Sequence, residues 1–474
     1  MVGKALSIFA AAEELPDAPG IVSHDGTHDE TLTYAQLAVR VRRVVDWLRA
    51  EHGEIRGAVA VIATLRPETL IAFYALFEIG APIVAIHPRA TALERSALIA
   101  SASATRVLDE TWSDTALPPT AASGDAGDVD DDQPLAILFT SGTSGAPKGV
   151  VLSRGAIHVA ALASASNLDW YPNDRWLLCM PLGHVGGLSV VVRCLIARKP
   201  VVLVPWSGAV APLLDALERH AVTLISLVPA MLRRIIDEQP TYRFPPSMRA
   251  VLLGGDAASP SLLADAAARV MPILTTYGMT EACAQVATQR PGEACTAEAG
   301  VGRPLDGVEL RIVDGEVHVR GPMLMSGYFP VGEGPSPFLD GGWFPTGDLG
   351  EIDTSGRLHL RGRKSDRLIT GGENVDPLEV ERALATCPGV ASACVFGVPD
   401  ERWGQIIAAA LLPTDPNEPP ALATVAAHVT ATLARFKCPS AYAICAAFVM
   451  NASSKVDRKR TAAAVVASLV RVTR

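Results

Sequence analysis

Short apolar runs of strand length recur between helical stretches along most of this chain, and that alternation limits the fold more than any other feature. Runs at 58–64 and 82–86 flank an apolar stretch at 69–77 that suits a buried helix. Strand, helix, strand at this rhythm predicts a parallel sheet. Upstream, Thr33-Tyr34-Ala35-Gln36 has the spacing of a capping box, followed by Leu37, Val41, Val44 and Leu48 at helical spacing and Gly53 as a stop. The rhythm breaks at 111–134, a small, acidic, proline-bearing stretch that reads as a solvated connector. It resumes from Leu135 to about Leu274, with core strands expected at 137–139, 201–204, 224–227 and 251–253. From Val308 apolar and polar residues alternate around Asp314-Gly315, and again around Ser355-Gly356, as antiparallel hairpins do. Beyond Arg363 a helix is expected at 377–386 and strands at 391–398 and 406–412. The class is α/β: a large N-terminal domain with lobes at about 1–165 and 166–300 and a small antiparallel β-barrel at about 301–363, then an α+β C-terminal domain at 364–474.

Composition excludes several classes. The charge sum of −9 argues against a nucleic-acid binder, whose footprint is basic. No run reaches the ~18–20 apolar residues of a membrane span; the longest charge-free stretch, 176–192, is broken by Pro181, His184 and three glycines. Eight scattered cysteines without a CxxC fit neither a zinc site nor a disulfide framework. With no signal-peptide pattern at the N-terminus, the expectation is a cytoplasmic protein.

The chemistry is concentrated in a few motifs. Phe139 to Val150 reads FTSGTSGAPKGV. There Thr140, Ser141, Gly142 and Thr143 offer hydroxyls and backbone amides to phosphate oxygens, and Lys148 adds a charge. Pro147 stands where a P-loop needs glycine, so that motif is excluded. By composition alone the run is equally a plain loop. Further along come Gly254-Gly255-Asp256, Tyr277-Gly278-Met279-Thr280-Glu281, Thr346-Gly347-Asp348, the stretch from Gly362-Arg363 to Gly371-Gly372-Glu373, and Lys455. Each has an ordinary reading too: a core tyrosine, a turn aspartate, a solvated lysine. In this order they resemble the acyl- and aryl-CoA synthetases of the adenylate-forming superfamily, over nearly the whole chain.

The resemblance implies a mobile C-terminal domain and an ATP-dependent enzyme that joins a carboxylic acid to CoA through an acyl-AMP. It implies that Tyr277 stacks on adenine and that Gly254, Gly255 and Asp256 let backbone approach the adenine edge. Asp348 and Arg363 would hold the ribose, Thr280 the α-phosphate, and Glu281 a Mg²⁺ ion. Gly371 and Gly372 would border the pantetheine tunnel. Lys455 would stabilise charge at the reacting phosphorus, where losing one aimed donor typically costs ~10²–10³ in rate. Two positions depart from the family pattern: Ser454 replaces the usual glycine, and Ser365 stands where the hinge is commonly acidic or lysine.

The stretch Met180 to Ser189 with Arg193, together with Leu227-Val228-Pro229, most resembles the branch of the family whose aromatic acid keeps a second carboxylate after activation. Such an acid needs a buried donor or cation, because an unpaired buried charge is costly. His184, Arg193 and Arg233 are the candidates, in that order, with Val228 and Gly278 lining the acid site. Gly183, in place of the usual phenylalanine, predicts a wider pocket. The ordinary readings are a core histidine and an arginine that snorkels to the surface. Expected partners are the acid, ATP and CoA, with no nucleic acid and no membrane span; a homodimer is one assembly considered. The rival readings are a freestanding adenylation domain that loads a carrier protein and a non-catalytic homologue that binds acyl-adenylates.

Overall fold

The computed structural model describes residues 2–24, 29–52, 57–118, 129–141, 147–293, 295–370, 373–400, 403–451 and 455–472. The capping box forms as its spacing predicts. The Gln36 side chain accepts the Thr33 N–H at 2.8 Å, and Thr33 Oγ1 accepts the Gln36 N–H at 3.3 Å. Helix Tyr34–His52 follows and buries Leu37, Val41, Val44 and Leu48 completely. The expected stop at Gly53, and residues 119–128 of the acidic connector, lie outside the described residues.

Two sheets build the large domain. The first has six strands in the order Gly327–Tyr328, Pro147–Ser153, Pro134–Ser141, Ile83–Ile86, Val59–Ile62 and Arg106–Leu108. Helix Pro67–Ile79 is apolar nearly all round and buries every residue from Thr69 to Glu78, as a helix enclosed in a large core must. The second sheet has nine strands. Its centre is a parallel run of Ile273–Met279, Ala250–Leu253, Leu224–Leu227, Trp176–Leu178 and Val201–Leu203.

One expectation needs correction. Strands Pro19–His24 and Asp29–Thr33 do not stay with the first lobe; Ile21 pairs in parallel with Val201, so they extend the nine-stranded sheet. That attachment spans 180 residues, and no local pattern carries it. The small antiparallel unit expected at about 301–363, a barrel or sheet, forms from strands Glu309–Val313, Glu316–Arg320, Phe344–Ile352 and Leu358–Arg363. Its first hairpin turns at Asp314 and Gly315, with φ of 50° and 80°, the positive pair a type I′ turn requires.

The smaller C-terminal domain has its own core. Strands Val390–Asp400, Gly404–Pro413, Ala441–Ile444 and Val470–Arg471 form a sheet covered by helices Pro377–Ala385, Leu422–Thr432 and Arg458–Val465. Val380, Leu384, Val395, Leu411, Val425 and Tyr442 fill the space between them. The eight cysteines, all among the described residues, form no disulfide with one another. Among the described residues no helix is long and apolar enough to cross a membrane.

Candidate active site

Ligands of open α/β sheets bind beyond the carboxyl ends of parallel strands, and the predicted residues gather there. Strand Trp176–Leu178 leads towards His184, Leu224–Leu227 into Val228, and Ala250–Leu253 into Gly254-Gly255-Asp256. Strand Ile273–Met279 carries Tyr277 and Gly278 and runs into the 3₁₀ turn Thr280–Ala282. At Gly278 the next strand crosses so closely that an added Cβ would lie 1.5 Å from the Ala284 carbonyl oxygen. Only glycine lets the chain turn here and present Thr280 and Glu281.

The proposed ribose pair is assembled across the small antiparallel sheet. Asp348 and Arg363 are register partners, and Arg363 Nε lies 2.9 Å from Asp348 Oδ1. The Tyr277 hydroxyl donates to Asp348 Oδ2 at 2.6 Å. Burial, then the adjacent Asp348 carboxylate, push the Tyr277 phenol well above its ordinary value. Asp348 is buried, whereas 61% of the Arg363 side chain is exposed, facing where a ligand would enter.

The phosphate end is partly described. Thr140 pairs in register with Lys148. Gly142 and Thr143 lie outside the described residues, and Ser141 is placed only as a strand residue. Sequence reasoning misses Tyr328, which joins this end together. Its hydroxyl donates to Glu281 Oε1 at 3.1 Å, and Lys148 Nζ lies 5.1 Å from its ring centroid. Its only local signal is a two-residue strand against Val150. Glu281 Oε2 takes no hydrogen bond from a described residue, and neither does the Thr280 hydroxyl.

Lys455 comes from the other domain, and the structure brings it to the site. Its Cε lies 4.0 Å from where a Gly255 Cβ would stand. Burial lowers its ammonium pKa; Asp256 opposes that shift, Arg363 adds to it, and Asp348 opposes it. These three residues are therefore its electrostatic neighbours. Ser454 and the Gly371-Gly372 loop lie outside the described residues.

On the acid side, His184 caps helix Val185–Ala197, and Val228 lies against Gly255. Burial, His87 and Lys455 push His184 down to about 4, so its ring is neutral near pH 7. A second histidine that sequence reasoning misses, His87, stands 5.7 Å away between ring centroids. Gly183 does not widen the pocket as expected. A Cβ there would lie 3.1 Å from the His87 nitrogen, so glycine lets the loop pack onto the end of strand Ile83–Ile86. Arg233 is also corrected: it pairs with Asp265 at 2.6 Å and Asp237 at 2.7 Å. Arg193 is different. It is 4% exposed, yet its Nε and Nη2 have no hydrogen-bond partner among the described residues. Trp176 lies 5.5 Å beneath it, and burial brings its pKa down to about 10. It does not snorkel. It also lines a small internal cavity with Ser189 and Cys283.

Hydroxyl, carboxylate and glycine groups gathered at strand ends, with a lysine brought beside them from a second domain, suit an enzyme that handles a nucleotide. The pattern of the AMP-binding enzyme family matches residues 8–329, and that of the AMP-binding enzyme C-terminal domain matches 379–455. The chain belongs to this family. The 2-succinylbenzoate–CoA ligase of Bacillus velezensis is 34% identical over 426 residues, covering 85% of this chain and 86% of that one. Among solved structures, o-succinylbenzoate CoA synthetase from Bacillus subtilis in complex with the acyl-adenylate intermediate OSB-AMP matches with a TM-score of 0.84. Identity there is 30%, over 96% of this chain and 97% of that one. A double mutant of the same synthetase, bound with its product analogue OSB-NCoA, matches at 0.71 with the same identity and coverage.

Proposed function

We propose that this enzyme is an AMP-forming ligase that activates 2-succinylbenzoate and transfers it to CoA. A carboxylate oxygen of the acid attacks the α-phosphorus of ATP, the bond to the β-phosphate oxygen breaks, and pyrophosphate leaves. The CoA sulfur then attacks the acyl carbon, the carbon–oxygen bond to AMP breaks, and the thiol proton passes to solvent. The observation that carries this reading is Lys455, held beside Gly255, Asp256 and Asp348 where the nucleotide would lie. From there its ammonium offsets the charge that builds on the reacting phosphate.

Tyr277, Gly254, Gly255 and Asp256 frame the base, and Asp348 and Arg363 hold the ribose. Thr140, Ser141, Gly142, Thr143, Lys148 and Thr280 take the phosphates. Glu281 suits Mg²⁺, since one carboxylate plus substrate phosphates is a donor set this cation accepts; the bound cation would neutralise phosphate charge. Buried Arg193, whose Nε and Nη2 no described residue satisfies, supports the choice of acid. A second carboxylate would pair with this guanidinium, with neutral His184, Val228 and Gly278 along the acyl chain. For the thiol step the C-terminal domain turns about Ser365, which withdraws Lys455 and brings Gly371 and Gly372 to the pantetheine. The acceptor is free CoA, and the compartment is the cytoplasm.

The test is product analysis with 2-succinylbenzoate, benzoate and a fatty acid, each with and without CoA. The reading expects pyrophosphate and the acyl-adenylate with 2-succinylbenzoate alone, and AMP and the thioester only when CoA is added. ADP as product, or a thioester formed only on a carrier protein, would overturn it.

A further inference from the structure

We infer that Arg458 and Glu381 are positioning residues for Lys455, their ion pair holding the lysine's loop at the nucleotide site during adenylation. The inference rests on the role proposed above for Lys455.

The described ends of the lysine's loop are joined by the Asp457 N–H to the Val449 carbonyl and the Asn451 N–H to the Lys455 carbonyl, both at 2.8 Å. The Lys455 N–H donates to Asn451 Oδ1 at 3.0 Å. Met450 and Val456 are 40% and 37% exposed. The root of the loop is tied to the body of the domain, in part by the Val449 N–H donating to Thr461 Oγ1 at 3.0 Å. Arg458, three residues after the lysine at the start of helix Arg458–Val465, bonds the Glu381 carboxylate and donates to the Val395 carbonyl at 2.5 Å. Glu381 Oε1 accepts the Val395 N–H at 2.7 Å in turn. One side-chain pair thus ties the loop to helix Pro377–Ala385 and strand Val390–Asp400.

Charge placement gives the pair a second effect. Asp256 in the large domain faces both Lys455, which it attracts, and Glu381, which it repels. Asp366, beside the expected hinge at Ser365, faces Arg458 favourably. With Arg458 gone, Glu381, which burial already pushes up, would lose the partner that favours its ionised form, and the tie from the lysine's loop to strand Val390–Asp400 would go with it.

The two half-reactions separate this role from a merely structural one. Arg458→Met is expected to slow pyrophosphate release from ATP and 2-succinylbenzoate about 100-fold, the scale of a misplacement near 1 Å. Conversion of supplied 2-succinylbenzoyl-adenylate and CoA to thioester should change by less than about threefold, because that step does not use the lysine at phosphorus. Glu381→Gln, which keeps the shape, should give the same split, and Arg458→Lys should recover part of the first step. If both halves fall together, or neither falls, the inference is overturned. Lys455→Ala is run alongside. A split there without one in Arg458→Met removes only the positioning role; no split in Lys455→Ala removes the proposed role of the lysine and this inference with it.

Discussion

Arg193 and His184 are the residues whose chemistry is most altered by where the fold puts them. A buried guanidinium without an anion is a cost that the folded protein carries until something pairs with it. Arg193→Met should therefore leave stability unchanged or raise it by about 1–3 kcal/mol in urea unfolding. It should also lower kcat/KM for 2-succinylbenzoate ~10²–10³-fold while sparing benzoate, which has no second carboxylate to pair. Equal losses on both acids would show that Arg193 serves packing alone. For His184 the sign runs the other way. Its ring in the folded protein titrates near 4, below the ordinary 6.5. Below pH 6.5 the unfolded chain takes up a proton that the folded one refuses, so stability is lost as pH falls towards 4. Its ring resonances should show no midpoint between pH 5 and 8, and His184→Gln should flatten the acid side of a stability profile, each within about one pH unit.

At the level of elements, the turn after strand Ile273–Met279 is the least forgiving. Gly278→Ala would force a methyl onto the Ala284 carbonyl, and overpacking of this kind costs about 1–3 kcal/mol or more. Its denaturation midpoint should drop, and ATP-dependent pyrophosphate release should fall with it because Thr280 and Glu281 shift together. Elements of this kind were legible wherever the signal was local. The Thr33–Gln36 box, the Asp314-Gly315 turn and the apolar helix Pro67–Ile79 all declare themselves within a dozen residues. The motifs from Thr140 to Lys455 stand out in the sequence for the same reason, as short ordered strings. Pairings between distant segments were not. Ile21 beside Val201, Tyr328 beneath Lys148, His87 beside His184 and Arg458 on Glu381 each join residues that periodicity treats as unrelated. Hairpin signals made the small antiparallel unit legible, but they count strands without saying whether the outer ones meet.

For the whole molecule, the question is what holds the two domains in the observed orientation. The Arg382 guanidinium donates to the Leu360 carbonyl at 2.9 Å, crossing from helix Pro377–Ala385 to strand Leu358–Arg363. Asp376 packs so closely on Gly362 that no Cβ would fit there. With Lys455 against Gly255, these contacts make a seam specific to one orientation. An exposed hydrogen bond from a charged donor contributes about 1 kcal/mol, enough to shift a two-state equilibrium about fivefold. Arg382→Ala should therefore slow adenylation about threefold to tenfold, leave the melting temperature of the C-terminal domain nearly unchanged, and leave or quicken thioester formation from supplied acyl-adenylate. The opposite pattern, adenylation intact and thioester formation slowed, would mean that the seam belongs to the second half-reaction and that Lys455 reaches the nucleotide by another path.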